Sequence, residues 1–410
     1  FLDRAQRSRP GFAPQDQKQL EQIVRICQIV DGLPLGIELA AANLREYPLA
    51  DILDSLQNNL TILDTNLQDL PARHRSLRAA YQSSWDNLSK DERTTLLKLA
   101  VFREGFTPQA ARAVSGAAIQ ELTNLCDKSL LEGSAYQLFR LNPLLQHFIR
   151  EKTAEAPGLG QEALREHAAY YLGLIGSLLL NLRRQNNLAQ TLEEIEREAA
   201  NLQAAAQYAG EAGWYAQLAA VNEALFYALE YRGLYSEGEA YFQNQITSLS
   251  RGQLPLPEAA LLGQALAYQG WFTLRTGRYQ DARLLFEDSQ AALAGAGAPH
   301  ARLLASLGSA FLLSRQGDLP AAAALLEQTI AAAGQTGEAL LELTARLTLA
   351  EIRFNAGALE DPLTAFFDCL DQADEQNFIL LSIRALADLA DAFAAQGRVE
   401  EAAVHIQNSL

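Results

Sequence analysis

Four glycines, Gly277, Gly317, Gly357 and Gly397, stand 40 residues apart, and that spacing restricts the fold more than any other feature of the chain. Small residues recur with the same period, as Ala265, Ala305, Ala345 and Ala385, and as Gly270, Ala310, Ala350 and Ala390. Five residues beyond each glycine come Ala282, Ala322, Pro362 and Ala402, and nine beyond it Phe286, Leu326, Phe366 and Ile406. Glycine reaches the left-handed backbone that ends one helix and lets the next begin. Small residues let paired helices approach, and the larger residue plugs the next unit. The pattern predicts an array of helical hairpins.

The rest of the chain is also helical in character. Apolar residues recur at i, i+3, i+4 and i+7, as in Leu20, Ile23, Val24 and Cys27, and β-branched runs are scarce. The expected fold is all-α. One exception is Leu130 to Leu141, where two short apolar runs flank Gly133-Ser134 and read as a small β-hairpin. The 40-residue pattern resembles tetratricopeptide (TPR) repeats in their long form, which implies an α-solenoid, a superhelix of helical hairpins. Pro362 departs from the small residue of the other copies and is expected to shift one helix start. Gly233, Gly238 and Phe242 repeat the offsets more weakly, with Trp214 upstream, which extends the array back to about residue 160.

Charge and cysteine content narrow the function classes. The net charge of −16 over 410 residues argues against nucleic-acid binding by the chain as a whole, since phosphate affinity comes from Lys and Arg. Residues 71–155 carry about +3 and residues 156–410 about −15, which places a boundary near 155. The break Ala154 to Gly160 falls at the same place. Cys27, Cys126 and Cys369 are too far apart for a CxxC pair and odd in number, so a reducing cytoplasm is the expected compartment. The longest stretches without Asp, Glu, Lys or Arg are His167 to Leu182 and Ala259 to Leu274, 16 residues each, short for a membrane span. The chain begins at Phe1 and has no methionine. The expectation is of a fragment whose N-terminus lies upstream.

Residues 20–41 read LEQIVRICQIVDGLPLGIELAA. A helix ends at Asp31-Gly32, Pro34 interrupts, and a second helix follows. Gly32-Leu33-Pro34-Leu35 resembles the GLPL motif of signal-transduction ATPases with numerous domains, the STAND class that includes the NB-ARC proteins. LPARHRSLRAAYQSSWDNLSKDERTTLLKLAVF (Leu70 to Phe102) is similar to the opening of the winged-helix domain in bacterial members. GFTPQAARAV and LTNLCDKSLLE continue it, and the hairpin would be the wing. The resemblance covers residues 1 to about 155, and a TPR array is a usual C-terminal partner in the class. It implies residues 1–68 as the helical domain with GLPL, 69–155 as the winged helix, 156–252 as a helical linker with degenerate repeats and 253–410 as TPR-like repeats.

The resemblance further implies a switch that holds ADP at rest. In the family the GLPL proline packs on the adenine, which carries over to Pro34. A histidine at the start of the winged domain's last helix approaches the phosphate, and here that position is Asn142, which can donate a hydrogen bond but carries no positive charge. The sequence has no GxxxxGK[ST], so no phosphate-cradling loop with its lysine. ADP or ATP is expected only in a longer protein, and this chain is expected not to be an enzyme. No HExxH, no Gly-x-Ser-x-Gly and no metal-ligand set of histidines occurs; His300 and His405 look isolated.

In TPR arrays the first helix of each hairpin lines a concave groove. With the register set by the glycines, the groove positions are Trp271, Arg275, Phe311, Arg315, Glu351, Phe354, Asn355, Arg384 and Asp391. Arginines and aromatics there suit a peptide or small effector, with a basic near end and an acidic far end. The alternative is that Trp271 and Phe311 only pack against neighbouring helices. The expected function is the regulatory sensor of a STAND ATPase, monomeric as this chain and oligomeric as the active longer protein. Two alternatives stand beside it: a transcription regulator that binds DNA through the winged helix or another domain, and a free-standing TPR scaffold. The helix predicted for Ala118 to Lys128 holds Glu121 and Asp127 but one cation, a poor groove reader. Arg73, Arg75 and Arg78 lie before the fold.

Overall fold

The computed structural model describes residues 1–30, 32, 34–58, 77–133, 138–249, 256–357 and 362–409. Outside them fall Leu33 of the GLPL tetrapeptide, Arg73 and Arg75, the tip of the expected hairpin, and the expected boundaries at 68/69 and 252/253. The described residues form 22 α-helices and one 3-10 helix. Their only β pairing is two antiparallel bridges, Phe106 with Phe139 and Glu132 with Arg140, so the all-α expectation is met. No described helix is long and apolar enough to cross a membrane. The chain divides into two compact units, 1–171 with 200–208, and 172–199 with 209–410.

The second unit is a TPR-like solenoid. Its hairpins are Tyr215–Tyr231 with Tyr235–Leu249, Leu256–Arg275 with Tyr279–Ala292, Pro299–Arg315 with Leu319–Thr336, Ala339–Asn355 with Pro362–Glu375, and Ile379–Ala395 with Val399–Ser409. The two helices of each hairpin pack together, and the first helices of successive hairpins also touch one another. The periodic glycines do what the spacing implied. Gly277, Gly317, Gly357 and Gly397 have φ between +65° and +87°. Beyond three of them the chain closes a Schellman turn: Arg278 N–H donates to the Thr273 carbonyl at 3.1 Å, and Asp318 to Leu313 and Arg398 to Phe393 at 3.0 Å. A second turn series, absent from the sequence argument, lies halfway between, with Gly337 and Asn377 also left-handed. The helix of the third full repeat begins at Pro362, and residues 358–361 lie outside the described set.

Packing follows the small-and-large alternation. Ala265, Ala305, Ala345 and Ala385 are fully buried, as are Phe286 and Leu326, with Phe366 nearly so. Ile406 is the exception and is half exposed. Phe286 shows why glycine is needed beside it. A Cβ on Gly270 would lie 2.8 Å from its ring, and one on Gly308 would lie 2.3 Å from it. The ring occupies the volume that the two missing methyls leave.

The first unit is built of shorter helices. Ser89 begins Lys90–Leu99 with a capping box, its hydroxyl accepting from Glu92 N–H while Glu92 accepts from Ser89 N–H. Thr107 caps Pro108–Ser115, and Ile119–Asp127 follows. Glu132 and Arg140 pair at the base of the expected hairpin. Aromatic side chains fill this core: Phe102 stacks on Phe106 at 4.3 Å between centroids and meets His167 edge-on at 5.2 Å. Asn201 secures the ring, its Oδ1 3.3 Å from His167 Nε2 and its Nδ2 donating to the Gly105 carbonyl. Cys126 is half-buried.

Two outcomes test this packing. Gly308→Ala should lower stability by about 1–3 kcal/mol through overpacking, read as a lower urea midpoint, and Phe286→Leu should recover part of it. Burial holds the His167 pKa down to about 4, against the Asn201 contact. The unfolded chain takes up its proton near pH 6.5 while the folded one does not. Stability should therefore fall as pH drops from about 6.5 to 4, by about 3 kcal/mol in all, and His167→Gln should flatten that slope.

Candidate functional site

The first helices of the hairpins face a cavity of about 410 Å³ inside the second unit. One wall is aromatic and polar: Phe226, Tyr227, Glu230 and Tyr231 come from Tyr215–Tyr231, and Trp271 and Arg275 from the next hairpin. Leu304, Leu307, Leu340, Leu341, Leu380 and Leu381 add an aliphatic surface, and Thr344, Arg384 and Gln185 complete the lining. A volume in this range, mostly apolar with a few convergent polar groups, is what small-molecule sites share.

The polar groups are tied in specific ways. Arg275 Nε lies 3.4 Å from Glu230 Oε1, and its guanidinium sits over the Tyr235 ring at 4.8 Å. Burial raises the Glu230 pKa, against Arg275 and the Trp271 indole, which favour its charge. The indole N–H of Trp271 is thus the second partner of the Glu230 carboxylate, beside Arg275. Arg384 Nη2 donates to Glu351 at 2.7 Å and to Thr348 Oγ1 at 3.1 Å. Beyond Arg384, burial pushes Asp388 up to about 7, with Arg384 opposing and Glu351 and Asp391 adding to the shift.

Behind the aromatic wall runs a buried polar network. His300 has Tyr227 Oη 2.8 Å from Nε2 and Tyr268 Oη 3.1 Å from Nδ1. Gln264 donates to Tyr268, and Asn222 donates to Gln264. Glu223 faces His300 at 3.8 Å and accepts from Arg183 Nε and Nη2, at 2.5 and 2.8 Å, while Arg183 also reaches Glu338 at 3.5 Å. Burial holds His300 below its ordinary pKa despite Glu223. His300 is thus not the isolated residue that the sequence suggested. It is the centre of contacts between residues 32 and 77 positions apart, which no local pattern displays.

Of the nine expected groove residues, the structure brings Trp271, Arg275 and Arg384 to the cavity. Phe311 and Arg315 gather instead around Tyr279, at 6.5 Å between rings and 5.7 Å from guanidinium to ring. Glu351 pairs with Arg384, and Phe354 packs edge-on against Phe366. Asn355 and Asp391 are exposed. The reason is superhelical rotation. The cavity meets the last turns of Tyr215–Tyr231 and Leu256–Arg275, the middle of Pro299–Arg315, and the first turns of Ala339–Asn355 and Ile379–Ala395. A fixed repeat register cannot follow this drift, because each unit is rotated on its neighbour.

In the first unit, Asn142 caps Pro143–Ala154, its Oδ1 accepting from Leu144 N–H at 3.0 Å and from Leu145 N–H at 3.4 Å. Pro34 is exposed and opens Pro34–Ala42. Cations of the expected winged-helix region are engaged: Arg78 pairs with Glu151, Lys128 with Glu92 and Arg140 with Glu132. Among the described residues no three or more His, Cys, Asp or Glu converge as metal ligands.

No family model matches the chain. Over 223 residues, 52% of its length, it is 31% identical to proteins of Mycobacterium tuberculosis and Mycobacterium bovis named provisionally as HTH-type transcriptional regulators. The match spans a quarter of the length of those proteins, 25%. Over 114 residues it is 36% identical to an uncharacterized Mycobacterium tuberculosis protein, covering 28% of this chain and 29% of that one. Its fold is similar to the crystal structure of a STAND protein with a tetratricopeptide repeat sensor from Pyrococcus horikoshii. The TM-score is 0.51 at 11% identity, over 99% of this chain and 58% of the other. That likeness is one of fold.

The His300 network makes a testable demand. His300→Leu leaves two buried tyrosine hydroxyls short of a partner and should cost about 2–4 kcal/mol. Adding Tyr227→Phe and Tyr268→Phe should recover much of the loss in the urea midpoint, as removing both sides of a buried hydrogen bond does.

Proposed function

We propose that the chain is the sensor and coupling part of a STAND-type nucleotide switch. The array binds an effector, and the N-terminal unit, read as a GLPL helical domain followed by a winged helix, passes the change to a nucleotide-binding domain in a longer cytoplasmic protein. The observation that carries this is the concave cavity, lined by first helices from all five hairpins, within a fold similar over nearly its whole length to a STAND protein with such a sensor. An effector shifts the switch only as far as it favours one state over the other. Pro34 and Asn142 are the residues proposed to meet ADP in that longer protein, Asn142 as a hydrogen-bond donor while its Oδ1 caps the helix. The chain itself performs no hydrolysis in this reading.

The mycobacterial relatives' name supports a regulatory output and a second reading, in which a longer protein acts on transcription. Direct DNA binding by this chain is disfavoured. The cations that a groove-reading surface would need at Arg78, Lys128 and Arg140 are paired with carboxylates.

The test is nucleotide content. A longer protein that joins this chain to the proposed nucleotide-binding domain should copurify with about one ADP per chain, released by acid and quantified by chromatography. Asn142→His should raise ADP retention. A product without a phosphate loop and without bound nucleotide would overturn the proposal and leave the TPR scaffold.

A further inference from the structure

We propose that the joint between the last two hairpins is worked by a proton. With the Asp388 carboxyl neutral, the final hairpin, Ile379–Ala395 with Val399–Ser409, docks firmly on Ala339–Asn355 and Pro362–Glu375; with the carboxyl ionised, that hairpin loosens. The joint needs neither an effector nor a nucleotide, so it stands or falls apart from the sensor reading.

The 40-residue register puts Asp388 at the position of Tyr268, Gly308 and Thr348. At two earlier joints this position receives the plug residue of the preceding hairpin. Phe242 meets the Tyr268 ring at 5.2 Å, and Phe286 fills the space beside Gly308. The position therefore belongs to the interface between hairpins. Tyrosine, glycine and threonine are neutral there at ordinary pH. The last hairpin instead puts a carboxyl in it, half-buried, with Oδ2 closed off from solvent and without a hydrogen-bond partner. A buried oxygen left so calls for a reason.

The charges around Asp388 favour the neutral acid. On its own helix stand Arg384, one turn before, and Asp391, one turn after. Ala339–Asn355 brings Glu351, which accepts from Arg384 Nη2 at 2.7 Å, the nitrogen that also donates to Thr348. Arg346 of that helix pairs with Glu342. Pro362–Glu375 brings the Cys369 thiol, which feels both Asp388 and its own neighbour Asp368. At the last helix, Arg398 pairs with Glu401, and His405 lies against Phe367 and Phe393. One guanidinium thus faces three carboxyls, and of these it bonds Glu351.

Burial, the largest cause, lifts Asp388 to about 7, with Glu351 and Asp391 adding and Arg384 opposing. A detached hairpin returns the carboxyl to its ordinary value near about 3.9. Between those values the docked hairpin holds a proton that the detached one does not. Docking is therefore strongest in acid and weakens as pH rises through about 7. The sign is opposite to that of His167, which lies in the first unit, so position along the chain separates the two. Leu380, Leu381 and Arg384 of the same hairpin line the cavity, and the proton sets how firmly that side of it is held.

The test is hydrogen exchange read peptide by peptide at about pH 6 and about pH 8, corrected for the intrinsic rate. Protection of Ile379–Ala395 should fall about tenfold from the lower to the higher pH, while that of Leu256–Arg275 should hold. Asp388→Asn, neutral and nearly isosteric, should keep protection high at both values. Asp388→Thr, the residue of the preceding repeat at this position, serves should the amide not fold. His405→Gln should leave the fall in place. Equal protection of the last hairpin at both values in the unaltered chain, the same fall in Asp388→Asn, or its loss in His405→Gln overturns the proposal.

Discussion

The left-handed glycine at the end of each first helix is the constraint on which the array depends. With φ near +75° the chain turns back in three or four residues, and the second helix lands antiparallel on the first. A side chain at that position would resist the turn. Because the turn recurs every 40 residues, the same small positions meet the same large ones in each copy, so Ala265 and Phe286 reappear as Ala305 and Leu326. The solenoid is one local rule applied repeatedly, and its stability is a sum of similar nearest-neighbour interfaces.

What the sequence reveals, and what it hides, divides along that line. The hairpins from Leu256 onward are legible because a turn glycine and a plug residue are properties of one repeat. The degenerate unit before them was legible only in outline, since it keeps Gly233, Gly238 and Phe242. Its aromatic face at Phe226, Tyr227 and Tyr231 carries no repeat signal, although it lines the cavity. Phe311 and Glu351 share the glycine-set register of Trp271, and rotation from unit to unit turns them away from the cavity. A register that slid back by about one turn per repeat would have found Leu307 and Thr344.

The polar interior is the least legible part. Arg183 and Glu223 are 40 residues apart, and Tyr227 and His300 are 73 apart. Each looks ordinary in its own helix. Only when the superhelix curls do they converge, and then each buried group needs the others, since an unpaired one is expensive at low dielectric. In the N-terminal unit the same lesson is gentler. The side-chain oxygen of Asn142 caps a helix, a duty Asn-Pro performs at many helix starts and one that the sequence alone displays.

Gln185 links the two ends of the array. Its side-chain oxygen accepts the backbone N–H of Leu380, 195 residues further on, at 2.9 Å, at the start of the final hairpin. A tandem array ordinarily loosens from its open end like a fraying rope. Here the base of the last coil is stitched to the segment that precedes the first, so releasing that coil must also break the stitch.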